Sequence, residues 1–173
     1  MSIADEWVRA FARQADADFR AWELYDVYPE AVAAECHRMH FLQMACEKLC
    51  KACVLDAQIV TLDKVQTSHG FVKSQLSTIL KQELSYKREK SAQIKTVMQH
   101  FKRFAQEIEV LNPSMDSKHR PDNCEYPWES NGRVLSPLDH TFYLSNLMIE
   151  PSGINFLKSV RSAINRILAS LAD

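Results

Sequence analysis

The chain has 173 residues and a net charge of -1, with 46% hydrophobic and 25% charged residues. This is the composition of an ordinary globular protein, and the length suits one domain over 1–173 with a single core. No apolar run approaches the roughly 18 residues of a membrane span, and the N-terminus is too polar for a secretory signal. We therefore expect a cytoplasmic protein that contacts no membrane and keeps its five cysteines as thiols.

Predicted helices fill most of the chain, because only three glycines interrupt it. Apolar residues at helical spacing predict helices over about 3–26, 30–58, 68–84, 89–111, 137–148 and 153–171. Short turns between them predict an all-α fold, an antiparallel up-and-down bundle of four to six helices. Residues 112–136 form one long irregular loop, and loops of this length often carry function.

The second predicted helix contains "CEKLCKAC" (46–53), whose C-x3-C-x2-C spacing matches radical-SAM iron–sulfur enzymes. Within a helix the three sulfurs would span about two turns, roughly 10 Å, too far for one metal. We therefore interpret these cysteines as buried core residues on a central helix, with Glu47 and Lys51 facing elsewhere. Two alternatives remain. One is a metal site, because Cys36, His37 and His40 lie nearby; the other is a thiol sensor. The expectation is no metal and no cofactor.

A basic stretch follows at 81–103, with seven Lys or Arg against two Glu. Such a stretch could meet phosphate groups, but a solvated helix face is the preferred interpretation.

Three motifs carry a family resemblance. The stretch "HFLQMACEKLCKACV" (40–54) resembles the second helix of HEPN domains (higher eukaryotes and prokaryotes nucleotide-binding), with its histidine, Gln, small residue, Glu, Lys and Leu-Lys-Ala. "TSHGFVKSQL" (67–76) is similar to the Thr-x-His that opens the family's third helix, and "DNCEYPW" (122–128) to its Arg-Tyr-Pro-like segment. The motif order agrees over 30–128, and 129–173 has no counterpart.

The resemblance implies a HEPN-like bundle of four to five helices that is commonly a homodimer. Members cleave RNA, bind nucleotides, or partner a nucleotidyltransferase in toxin–antitoxin and phage-defence systems. Active HEPN ribonucleases carry Arg-x4–6-His, and "RVLSPLDH" supplies Arg133 and His140 as the catalytic candidates. Such chemistry needs a base near neutral pKa and a permanent cation for the phosphate. Val134 and Pro137 depart from the family pattern, so a surface arginine with a capping or core-edge histidine is the preferred interpretation.

Candidate nucleotide- or RNA-binding residues lie in "HRPDNCEYPWE" (119–129), where aromatic rings can stack on a base and polar groups can read its edge. They are Arg120, Asn123, Tyr126 and Trp128. The preferred interpretation is that Tyr126 and Trp128 instead pin the loop onto the bundle. His69 is expected to bond to the backbone at a helix start.

The resemblance thus implies a HEPN-like nucleotide-, RNA- or partner-binding module that forms a homodimer, and the sequence gives no strong evidence for catalysis. One alternative is a metal-independent HEPN endoribonuclease that uses Arg133 and His140. A second is a purely structural helical interaction protein.

Overall fold

The computed structural model describes residues 2–27, 35–87, 91–115 and 122–171. Within these ranges the α-helices are α1 (Ile3–Val27), α2 (Glu35–Asp56), α3 (Leu62–Thr67), α4 (Ser77–Tyr86), α5 (Ser91–Glu109), α6 (Tyr143–Met148) and α7 (Pro151–Ser170). Two short strands, β1 (Trp128–Ser130) and β2 (Arg133–Leu135), pair in antiparallel register, with Glu129 opposite Val134. The predicted all-α helical bundle is confirmed.

The bundle is built around α2, which packs along the length of α1 and also contacts α5 and α7. Thirteen of its 22 residues are buried, so the predicted central position of this helix is confirmed. On the other side of the core, Phe156 of α7 packs edge-on against Phe101 and Phe104 of α5, with ring centroids 5.4 and 5.1 Å apart. Helix α7 also contacts α1 and α4, and α4 lies against α5.

The cysteines of α2 belong to this core. Cys46 and Cys50 are fully buried, and all five cysteines of the chain are free thiols. Burial raises the pKa of the Cys46 thiol, and it raises that of Cys53 to about 12. A thiol that stays protonated is neither a good nucleophile nor a redox sensor. The interpretation as buried core residues is confirmed for Cys46 and Cys50, whereas Cys53 is only partly buried and packs against the core.

The predicted irregular loop contains a β-hairpin that the sequence analysis missed. Its turn is formed by Asn131 and Gly132, which both have positive φ, 52° and 72°. Positive φ at two successive turn residues matches the twist of a two-residue hairpin, and Asn-Gly is its strongest sequence signal. Short α3 was also missed, and five residues in a π-helical turn, Val72–Leu76, precede α4.

Among the described residues, no helix is both long and apolar enough to cross a bilayer.

Candidate functional site

The two residues of the predicted catalytic pair lie on either side of a short 3-10 turn, Pro137–Asp139. Arg133 begins β2 and is exposed. His140 is half-buried, and its ring lies edge-to-face with Trp128 and Phe142, at centroid distances of 5.1 and 4.8 Å. Two aromatic rings therefore hold the imidazole at the edge of the core. This environment favours the core-edge interpretation of His140 over a general base.

The predicted base-binding residues have different environments. Arg120 lies outside the described residues. The side chain of Asn123 is occupied by its own loop: Oδ1 accepts from the amides of Glu125 (2.9 Å) and Tyr126 (2.7 Å), and Nδ2 donates to the Tyr126 carbonyl (3.1 Å). Trp128 is only 8% exposed, whereas Tyr126 is 60% exposed. Of the candidates described, Tyr126 alone offers an open ring face, whereas the Trp128 ring is buried against that of His140.

A polar cluster around the buried carboxylate of Glu47 on α2 was not anticipated. The carboxylate of Glu47 lies beside the Lys51 ammonium (2.9 Å) and Nδ1 of His69 (3.0 Å). Its other oxygen accepts from Gln43 (2.9 Å) and Asn112 (3.4 Å). We call these five residues the Glu47 cluster.

Two sequence expectations are corrected by this cluster. Glu47 and Lys51 do not lie on the solvent side of α2; both are buried. They are one helical turn apart, so their opposite charges pair and permit burial. His69 bonds to a carboxylate rather than to the backbone of a helix start.

The Glu47 cluster joins three parts of the chain. Glu47 is on α2, His69 precedes the π-helical turn, and Asn112 follows α5. Glu109, at the end of α5, is buried beside it and accepts a hydrogen bond from the Lys73 amide (2.7 Å). Burial, with the neighbouring charge of Glu47 adding to it, raises the pKa of Glu109. The arrangement fastens separate segments together around the buried Glu47 carboxylate, while the His69 side chain is 51% exposed.

A basic groove lies between α4 and α5 and has a volume of about 700 Å³. Its lining includes three lysines and four hydroxyl side chains, but no Asp or Glu of the described residues. The lining residues are Ser77, Thr78, Lys81, Ser85, Ser91, Ile94, Lys95, Met98, Gln99 and Lys102. We call it the α4–α5 groove.

The carboxylate of α4 points away from this groove. Glu83 is buried, and its Oε2 accepts from Nε of Arg166 on α7 (2.8 Å), while its Oε1 accepts from the hydroxyl of Ser162. Burial acts to raise the pKa of Glu83, but the hydrogen bonds from Ser162 and Arg166 outweigh it and lower the pKa. Glu83 is therefore an anion committed to α7, and the groove lysines keep their positive charge unopposed by it.

Comparison with models of protein families, with curated proteins and with solved structures found no match to this chain. The sequence signal for the groove was the excess of Lys and Arg over 81–103. That signal could not indicate which lysines face one another across two helices.

Proposed function

We propose that this chain is a HEPN-like helical binding module that holds the phosphate groups of a nucleotide or of RNA in the α4–α5 groove. The observation that carries the proposal is the lining of that groove, with Lys81, Lys95 and Lys102 among hydroxyl groups and no carboxylate of the described residues. Lysine is a compact, mobile point charge, which suits phosphate oxygens in varied positions.

The dimensions and the chemistry of the groove support the same ligand class. A volume of about 700 Å³ falls within the roughly 300–1,000 Å³ of small-molecule sites. Hydroxyl groups of Ser77 and Thr78 line the groove beside Lys81 and can donate hydrogen bonds to phosphate. A positively charged groove that follows a phosphate backbone is the usual basis of binding to single strands without sequence preference.

The pairing of Glu83 with α7 supports this interpretation over that of a solvated helix face. A surface helix commonly balances its lysines with carboxylates one turn away. Here the Glu83 carboxylate is taken up by Arg166 and Ser162, and at 4.0 Å it is close to Lys87, which does not line the groove. The groove lysines are thus left to attract an external anion.

The experiment is an anisotropy titration of fluorescein-labelled, mixed-sequence, single-stranded RNA with the purified chain in EDTA. The test variant is Lys81→Gln with Lys95→Gln. The matched control is Lys64→Gln with Lys158→Gln, because both of these lysines are exposed, outside the groove, and change the net charge equally. Unlabelled ATP added to the complex distinguishes a nucleotide site from one that needs a longer strand.

The groove variant is expected to raise Kd at least about tenfold. It is also expected to reduce the slope of log Kd against log salt by about 1.4, because two lysines are removed and each neutralised phosphate of a single strand contributes about 0.7. The control pair is expected to leave both quantities near the parent values. Equal effects of the two pairs, or no binding of either RNA or ATP by the parent, would contradict the proposal.

Assembly belongs to the same proposal and rests on the HEPN resemblance. This resemblance implies a homodimer and a nucleotidyltransferase-type partner protein. Light scattering of the purified chain is expected to give twice the mass of 19.9 kDa; the mass of a single chain would remove the dimer from the proposal.

A further inference from the structure

A second group of chemically reactive side chains lies away from the groove, where the segment after α5 returns to α2. His40 on α2 faces Cys124 and Glu125, which are 84 and 85 positions further along the chain. Nδ1 of His40 lies 3.4 Å from Oε1 of Glu125 and 3.9 Å from Sγ of Cys124. One ligand atom from each of the three residues lies within 4.8 Å of the other two.

The spacing of these atoms suits a tetrahedral metal. Zinc holds nitrogen and oxygen ligands at about 2.0–2.2 Å and sulfur at about 2.3 Å, so neighbouring ligand atoms lie about 3.3–3.6 Å apart. The two separations from Nδ1 of His40, 3.4 and 3.9 Å, require a change of only a few tenths of an ångström. The ligand atoms of Cys124 and Glu125 lie within 4.8 Å of each other and close by up to about 1.3 Å. Thiolate, imidazole and carboxylate together are a donor set that favours zinc over magnesium or calcium.

The loop that carries Cys124 and Glu125 is held in place by its own hydrogen bonds. The amide of Cys124 donates to the Leu111 carbonyl (3.3 Å), and Oδ1 of Asn123 accepts from the amide of Glu125 (2.9 Å). Cys124 is 3% exposed, while His40 and Glu125 are partly exposed and open the site to solvent. A metal could therefore enter from the solvent side and meet a positioned sulfur.

We propose that His40, Cys124 and Glu125 bind one zinc ion, through Nδ1, Sγ and a carboxylate oxygen, with a water molecule as the fourth ligand. The buried Cys124 thiol donates to the Leu111 carbonyl (3.3 Å). Zinc binding replaces this thiol proton, which is released to solvent, and it uses the neutral imidazole. The ion fastens the segment that follows α5 onto α2, and it stabilises the folded chain because the unfolded chain holds no preformed site.

The test uses the purified full-length chain after removal of metal with a chelator. Zinc is titrated in competition with a chromophoric chelator, and cobalt(II) is added separately as a spectroscopic probe of thiolate ligation. The variants are Cys124→Ser, His40→Ala and Glu125→Gln. Cys53→Ser is the matched control, because Cys53 is a partly buried thiol outside the cluster.

The parent is expected to bind one equivalent of zinc, to show a thiolate-to-cobalt charge-transfer band, and to melt at a higher temperature with zinc. Each variant in the cluster is expected to weaken binding by more than the roughly 10- to 100-fold that loss of an outer-shell partner costs. Cys124→Ser removes the charge-transfer band and Cys53→Ser retains it. The Glu125 side chain is partly exposed, so Glu125→Gln keeps the test decisive if Cys124→Ser fails to fold.

Three results would overturn the proposal: no zinc binding by the parent, binding that Glu125→Gln and His40→Ala leave unchanged, or a zinc-bound parent whose melting temperature does not rise. Loss of the cobalt band in Cys53→Ser would identify Cys53 as the metal-binding thiol and would also contradict the proposal. All of these measurements are independent of RNA binding by the α4–α5 groove.

Discussion

At the scale of single residues, the buried carboxylate of Glu47 has four side-chain partners: Gln43, Lys51, His69 and Asn112. Changing Glu47→Gln removes the charge that opposes Lys51, whose side chain is only 7% exposed. Removing one partner of a buried ion pair leaves the other charge desolvated and typically costs about 3–5 kcal/mol. We expect a loss of that size in the free energy of unfolding, measured by urea denaturation followed by circular dichroism.

The control for this change is Glu129→Gln, on the exposed side of β1. An exposed carboxylate without a buried partner contributes little, and a change within about 0.5 kcal/mol is expected. Equal losses for the two variants would show that burial of the Glu47–Lys51 pair does not decide the stability of α2.

His140 is expected to act on stability rather than on RNA. Its ring meets Trp128 and Phe142 edge-to-face, and each such contact contributes about 0.5–1.5 kcal/mol. We predict that His140→Ala lowers the free energy of unfolding by about 1–3 kcal/mol, and that parent and variant both leave single-stranded RNA intact in EDTA on a gel. Cleavage by the parent that is lost in His140→Ala would instead establish the Arg133 and His140 ribonuclease.

At the scale of the elements, Gly153 sets the approach of α7 to α6. A Cβ at this position would lie 2.2 Å from the Leu147 carbonyl oxygen and 2.6 Å from Met148 Cα, both backbone atoms that cannot move aside. Alanine within a helix normally stabilises relative to glycine by about 1 kcal/mol. We expect the opposite sign here, with Gly153→Ala lowering the free energy of unfolding by about 1–3 kcal/mol or more.

Thermal melting compares Gly153→Ala with Gly70→Ala, whose Cβ would make an ordinary 3.4 Å contact with a flexible Met115 side chain. A near-neutral result at Gly70 and a clear loss at Gly153 is the expected pattern. If Gly153→Ala is as stable as the parent, the two helices can separate without cost and their close contact is not required.

Helices α4 and α7 are joined by Glu83, and this contact should depend on pH. The folded-state pKa of Glu83 is lowered below its ordinary value of 4.5, because hydrogen bonds from Ser162 and Arg166 outweigh the effect of burial. A lowered carboxyl pKa gives stability that is fully present above the unfolded-state pKa and is lost as pH falls through the folded value. Acid below about pH 4.5 should therefore weaken this junction.

Glu83→Gln is expected to cost about 1.5–3 kcal/mol at neutral pH, the usual range for a hydrogen bond to a charged group. It should also flatten the fall of the unfolding free energy with pH below about 4.5. Urea denaturation at a series of pH values measures both. A parallel fall in parent and variant would assign the acid sensitivity to other carboxylates.

Helical periodicity of apolar residues determines which of these elements could be predicted from the sequence. The long helices followed from apolar spacing and from the scarcity of glycine, and α2 was correctly expected at the centre. The β-hairpin was missed, although Asn131-Gly132 carries its turn signal, because its strands are only three residues each. Burial of Glu47 was missed because its partners come from three separate segments, which a single-helix pattern cannot bring together.

For the molecule as a whole, charge is distributed unevenly about α7. Residues 1–35 hold eight Asp or Glu against three Lys or Arg, and Arg161 of α7 pairs with Asp16 and Glu23 of α1, each at 2.5 Å. Arg166, on the same helix, pairs with Glu83 of α4. Helix α7 thus neutralises carboxylates from both neighbours, while the α4–α5 groove retains its lysines. This asymmetry is expected to orient an approaching polyanion toward the groove.

The same asymmetry distinguishes the groove from the candidate binding segment at 119–129. The predicted segment offers Tyr126 as its open ring, and the Asn123 amide is already occupied by the loop. The candidate residues of that segment are aromatic and polar residues that lie close together along the chain. The lysines of the groove come from two helices, so their proximity depends on the packing of α4 against α5.

The measurement that tests the phosphate-binding groove most directly is photo-crosslinking of the purified chain to single-stranded RNA containing 4-thiouridine, followed by mass spectrometry of the crosslinked peptides. We predict crosslinks within 77–102 that decline in the Lys81→Gln, Lys95→Gln variant and persist in the Lys64→Gln, Lys158→Gln control. Crosslinks concentrated at Tyr126 and its neighbours, or unchanged by the groove variant, would contradict the account.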